Sequence, residues 1–162
     1  MIKELVNGIA KLTASSQAAA PNFPHKSINV GHRAVALPLD GSTPGLPGWK
    51  WIHTPGHTEG HVSFFRESNR TLIVGDAFTT KQESLASVLT QQEQIKGPPA
   101  YLTTDCDAAE KSVERIKELK PQLAIPSHGL PMTGDELTRH LEILTHAFNN
   151  IAVPDQGRFV DA

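Results

Sequence analysis

Apolar residues fall at helical spacing over 2–12, where Ile2, Leu5, Ile9 and Leu12 share a face and predict a first helix. From there to about residue 30 no period holds. "HRAVALPL" (32–39) alternates and predicts a strand. "GWKWIHT" (48–54) sets Trp49, Trp51 and His53 against Lys50, Ile52 and Thr54, which predicts a strand with two substantial faces. "HVSFFRE" (61–67) and "TLIVGD" (71–76) read as two more strands, and the "SNR" between them has hairpin length and turn chemistry. The unbroken "TLIV" predicts burial on both faces. The stretch 77–103 is ambiguous, with "KQESLASVLTQQEQ" fitting a short helix or an ordered loop. A helix begins at Asp105 or Asp107: Asp107 can cap it, Glu110 follows three residues on, and Ala109, Val113 and Ile116 share a face. Pro121 ends it. "QLAIPSHG" (122–129) reads as a short strand running into a loop. Gly134 and Asp135 open a last helix with Leu137, Leu141, Leu144 and Phe148 as its apolar stripe. The order predicts an α/β or α+β layered domain.

At 162 residues the chain fits one domain. Glycine and proline cluster in "PNFP", "DGSTPGLPG" and "KGPPAY", which marks loops without adding a domain boundary. The formal net charge is −2 and no block of like charges occurs, so nothing points to nucleic acid or an acidic surface. Cys106 is the single cysteine, which forbids an internal disulfide and fits a reducing compartment. No apolar run approaches the ~18 residues of a membrane span. Lys3, Glu4 and Lys11 interrupt the first apolar positions, unlike a signal peptide. The expectation is a soluble, cytoplasmic protein.

Chemistry is concentrated in "WIHTPGHTEGH" (51–61), with His53, His57 and His61 four residues apart. On a helix this spacing would make a zinc-protease site. Pro55, Gly56 and Gly60 argue against a helix, and no Glu directly follows a histidine. A strand–loop–strand reading places His57 at a loop apex on a sheet edge, with His53 and His61 at strand ends and aimed elsewhere. Two other strand ends share this character. Asp76 closes the apolar "TLIVG", where a carboxylate needs a partner or a cation. His128 follows "LAIP". Two imidazoles and a carboxylate suit Zn²⁺, with Fe²⁺ and Mn²⁺ also possible. His25, His32, His140 and His146 read as ordinary histidines.

"HTPGHTEGHVSFF", then "TLIVGDAF", then "PSHG" resembles the metallo-β-lactamase superfamily of metal-dependent hydrolases. The resemblance runs from about residue 33 to the end. It implies a domain over 1–162, with 1–30 as lead-in and 31–162 as roughly the second half of an αβ/βα sandwich. It implies that His57 completes the imidazole set of a first metal, that Asp76 bridges two metals and serves catalysis, and that His128 binds the second. It also implies that His53 and His61 are not ligands. In that family a metal-activated water attacks an ester, thioester, lactone or similar bond.

The family's first motif, H-x-H-x-D-H, does not occur in these residues. The expectation is therefore an incomplete dinuclear site and an apolar sheet face covered by self-association or by a partner. The alternative is a truncated, non-catalytic binding module. Trp49 and Trp51 are expected to pack in the core. Thr79, Thr80, Lys81 and Glu83 are candidates for a substrate-side loop, Tyr101 has no distinguishing context, and Cys106 is not expected to act as a nucleophile.

Overall fold

The computed structural model describes residues 36–81, 94–99 and 102–153. The helix expected at 2–12, His25, His32, Glu83, Tyr101 and most of the ambiguous 81–94 stretch lie outside these residues. Strands β1 (Lys50–His53), β2 (Val62–Arg66) and β3 (Thr71–Gly75) form an antiparallel meander. The β2–β3 connection is a turn of 3-10 helix at Glu67–Asn69, closed by Arg70 in the left-handed region (φ 52°). β6 (Leu123–Pro126) lies parallel to β3, and β7 (Met132–Thr133) pairs antiparallel to β6. The sheet order is β1-β2-β3-β6-β7. β4 (Thr79–Lys81) and β5 (Gln94–Lys96) form a separate two-stranded sheet between β3 and helix α1 (Cys106–Glu118). Helix α2 (Gly134–His146) and the short α3 (Phe148–Ala152) follow.

A parallel β3–β6 pair requires a crossover, and α1 lies within it. Alternation along β2 and β3 sorts the core into two faces. Phe65, Leu72 and Val74 join the helix-side cluster with Val113, Ile116 and Leu141. Phe64 and Ile73 turn the other way and pack with Trp49, Trp51 and Val62. Leu72 to Val74 are buried throughout, as the unbroken apolar run predicts. Trp49 is core, and Trp51 is half-buried with its indole N–H donating to the Pro38 carbonyl (2.8 Å).

Four local expectations need correction. Residues 36–40 are loop and turn rather than strand. Their carbonyls bond elsewhere: Pro38 O accepts from Gly41 N (3.1 Å) as well as from Trp51. Asp105, not Asp107, caps α1 by accepting from Ala108 N (2.8 Å). The backbone N–H of Asp105 is anchored on Gly56 O, which fixes where the chain turns into the helix. Phe148 lies on α3 because α2 ends at His146. Thr79 and Thr80 are buried in β4 and form no open loop.

β1 and β2 are antiparallel, as are β2 and β3, so β1, β3 and β6 all run in one direction. Their carboxyl ends therefore share one edge of the sheet. Each of the three feeds a loop there: residues 54–61 after β1, Asp76 after β3, and Ser127 to Gly129 after β6. Open α/β sheets bind ligands at such an edge.

Candidate metal centre

Asp76 leaves β3 directly after a register shift between Ile73 and Gly75, with Gly75 at φ +66°. The bulge aims the carboxylate out of the ladder. One oxygen, Oδ2, faces His57 Nε2 at 3.8 Å, and the other, Oδ1, faces His128 Nε2 at 3.6 Å. Both separations exceed a hydrogen bond. They approach the ~3.4 Å between two donors on a tetrahedral metal with bonds near 2.1 Å. Side-chain exposure is 15% at His57, 29% at Asp76 and 60% at His128. The three residues singled out by the strand-end argument thus lie together. Among the described residues no group of three His, Cys, Asp or Glu closes around a single point. The arrangement is two His–Asp contacts sharing one carboxylate.

The loop that presents His57 is fixed from α1. Gly56 O accepts from Thr104 N (3.0 Å), Asp105 N (3.1 Å) and Thr104 Oγ1 (3.1 Å). Ser112 Oγ donates to Pro55 O (2.6 Å). Gly56 has φ +136°, and a Cβ there would run into the backbone of Ala109, so only glycine lets the loop and helix meet. His57 itself makes no side-chain hydrogen bond among the described residues, and its Nδ1 is buried without a partner. Burial pushes its pKa below the ordinary imidazole value, partly offset by the Asp76 charge, and His128 adds a smaller lowering. A neutral, buried, unsatisfied imidazole beside a carboxylate fits a metal ligand better than a satisfied core group.

The His128 loop is tied to β4. Thr80 N donates to His128 O (3.0 Å), and Thr80 Oγ1 donates to Leu130 O (2.6 Å). Ser127 Oγ donates to Gly75 O (2.9 Å) and also reaches Asp76 Oδ1.

His53 and His61 differ from each other. His53 Nε2 donates to Glu59 O (2.8 Å), a surface bond away from the carboxylate. His61 is not aimed elsewhere as expected. Its Nε2 accepts from Asp76 N (2.9 Å), and its ring lies edge-on to His57 with centroids 6.5 Å apart. Burial lowers its pKa, against a raising hydrogen bond to Thr54 and the Asp76 charge, with His57 and His53 lowering it slightly. Sequence reasoning assigned His61 no contact with the site. The signal was present in the hairpin: Phe64 opposite Ile73 places His61 opposite Asp76 when the register is extended. The Cys106 thiol is pushed up by burial and by the flanking Asp105 and Asp107 charges, which disfavours a thiolate nucleophile. His140 is buried, and its Nδ1 accepts from Ile95 N (3.4 Å), remote from the centre.

A layered α/β sheet thus gathers imidazole, carboxylate and imidazole at its carboxyl edge. The chain belongs to the metallo-β-lactamase superfamily, whose family model matches residues 6–128. That match begins inside the stretch read as lead-in. Among curated relatives, the probable metallo-hydrolase YflN of Bacillus subtilis (strain 168) is 44% identical over 133 residues, covering 82% of this chain and 50% of its own. The probable metallo-hydrolase YybB of the same organism is 30% identical over 109 residues, covering 66% and 45%. The chain spans about half the length of these relatives. The solved structure described as the peroxy diiron species of chemotaxis sensor ODP, a protein from T. denticola, superposes with a TM-score of 0.52 at 19% identity. It covers 73% of this chain and 54% of its own, and shows the shared fold. Among the described residues no helix is long and apolar enough to cross a membrane.

Proposed function

We propose that His57, Asp76 and His128 are donors of a divalent-metal centre in a hydrolase of small esters, thioesters, lactones or similar bonds. The observation that carries this reading is the single Asp76 carboxylate set between two imidazoles, with His57 Nδ1 buried and making no hydrogen bond among the described residues. A bound metal would supply Lewis acidity and a lowered water pKa. The chain's own part is to present His57 Nε2 and His128 Nε2 on opposite oxygens of Asp76. The nitrogen–oxygen set suits zinc, iron or manganese. The diiron named for chemotaxis sensor ODP keeps iron beside zinc as a candidate. Zinc takes four ligands, so three donors, of which Asp76 is shared, leave positions for water, substrate or further side chains.

The test is metal uptake by the purified chain from Zn²⁺, Fe²⁺ and Mn²⁺, followed by turnover of ester, thioester and lactone panels. Uptake of at least one metal, lost in His57→Ala, is expected. Turnover by this chain alone is expected to be low, because the donors found are three and one is shared. No uptake of any metal, or uptake indifferent to His57→Ala, would sink the reading.

A further inference from the structure

Asp76 N–H and Val74 C=O flank the bulged Gly75, where the register between β3 and β6 shifts. Both are claimed by one continuous chain of hydrogen bonds. Val74 O accepts from Ser63 Oγ (2.8 Å), which spends the Ser63 proton. Ser63 Oγ lies 3.0 Å from Thr54 Oγ1, so Thr54 must donate there. Thr54 Oγ1 is then free only to accept, and it lies 2.9 Å from His61 Nδ1, with the Thr54 carbonyl at 3.0 Å from the same nitrogen. His61 Nδ1 must therefore carry a proton. At the other end, Asp76 N–H can only donate, so His61 Nε2 (2.9 Å) must accept. A neutral imidazole has one donor and one acceptor. The two ends of the chain, argued separately, demand the same tautomer.

We infer that His61 is a positioning residue, locked as the Nδ1-protonated tautomer by Thr54 and Ser63, that holds the backbone of Asp76 at the angle the carboxylate needs. This rests on the proposed metal role of Asp76. The Thr54 side chain is 1% exposed overall and Ser63 is fully buried, so water does not compete for the chain's inner links. Gly75 belongs to the same device: at φ +66° a Cβ would point into the His61 imidazole, so the ring occupies the space that glycine leaves. Outer partners of this kind typically tune metal affinity 10–100-fold.

The first readout needs no metal and no variant. Long-range ¹H–¹⁵N NMR of the metal-free chain at neutral pH is expected to show His61 with Nδ1 protonated and Nε2 bare. The second is amide exchange at Asp76. His61→Leu removes the acceptor and is expected to speed that exchange at least about tenfold and weaken Zn²⁺ binding by about 10–100-fold. His61→Gln keeps an acceptor oxygen and is expected to recover part of both. Ser63→Ala, a milder change, frees Thr54 to donate to His61 Nδ1 and is expected to weaken the tautomer preference and raise Asp76 exchange by less than His61→Leu does. An Nε2-protonated His61, or Asp76 exchange unaltered in both His61→Leu and Ser63→Ala, overturns the inference. Failure of the wild-type chain to bind Zn²⁺ would instead overturn the metal reading, with the NMR and exchange results still deciding the role of His61.

Discussion

His57 and His128 face the same carboxylate, the first nearly enclosed and the second largely open to solvent. Their loops are restrained in different ways. The His57 loop is gripped through backbone carbonyls by α1 and the two residues that lead into it, with three donors from Thr104 and Asp105 on Gly56 O and one from Ser112 on Pro55 O. The His128 loop is tied at its start by Ser127, whose amide and hydroxyl both donate to Gly75 O, and beyond that by Thr80, whose amide holds His128 O and whose hydroxyl holds Leu130 O. One half of the centre is therefore built into the core, and the other is strapped on from the small β4–β5 sheet. The difference teaches that burial of a ligand and redundancy of its support go together here. Gly56 O keeps two backbone donors when the Thr104 hydroxyl is lost, whereas among the described residues Leu130 O has the Thr80 hydroxyl alone.

The largest effect erases the comparison. Asp76→Ala removes the group both imidazoles face, and metal affinity by calorimetry is expected to fall more than about 100-fold, beyond the range for outer partners. Next, Gly56→Ala attacks the buried half. It combines backbone strain at φ +136° with overlap on Ala109, and denaturant unfolding should show a loss of about 2–4 kcal/mol. Gly45→Ala at φ +77°, in open space, is the control for strain alone and should lose about 1 kcal/mol. Equal losses would mean that the α1 contact contributes nothing.

The straps themselves come third. Thr80→Val leaves Leu130 O without its side-chain donor, whereas Thr104→Val leaves two backbone donors on Gly56 O. Thr80→Val is expected to cost about 1–2 kcal/mol and Thr104→Val under about 1 kcal/mol. Metal affinity should drop only for the former. The reverse order would break the distinction between the two loops.

The smallest effect is acid sensitivity of the enclosed half. Burial depresses the pKa of His57 and His61 below the ordinary value of about 6.5. A base whose folded pKa lies below its unfolded one favours folding fully above about pH 6.5, and that contribution is lost as pH falls through the folded value. Urea unfolding of the metal-free chain between pH 7.5 and 5 should show this decline. His57→Gln should flatten it, and an unchanged slope would count against a neutral, buried ring.

Much of this layout was legible in the sequence, for identifiable reasons. β1, β2, β3, β6 and α1 are long enough to read, and the places of His57, Asp76 and His128 in the fold followed from where β1, β3 and β6 stop. β4, β5 and β7 are two or three residues long, too short to show a period, and Thr80 owes its conformation to the distant 128–130 loop. The cap at Asp105 was misplaced because its amide partner, Gly56, lies in another loop. His61 was misread because spacing along "HTPGHTEGH" was weighed and pairing across the hairpin was not. Its partner is fifteen residues away in sequence and directly across in register.

The central claim is that His57, Asp76 and His128 bind one metal centre through those nitrogens and that carboxylate. The most direct measurement is a Co²⁺ titration of the purified chain followed by d–d absorption, repeated on His57→Ala and His128→Ala. A saturable visible spectrum is expected, altered by each substitution in shape as well as amplitude. An identical spectrum in all three proteins, or none in the wild type, would contradict it.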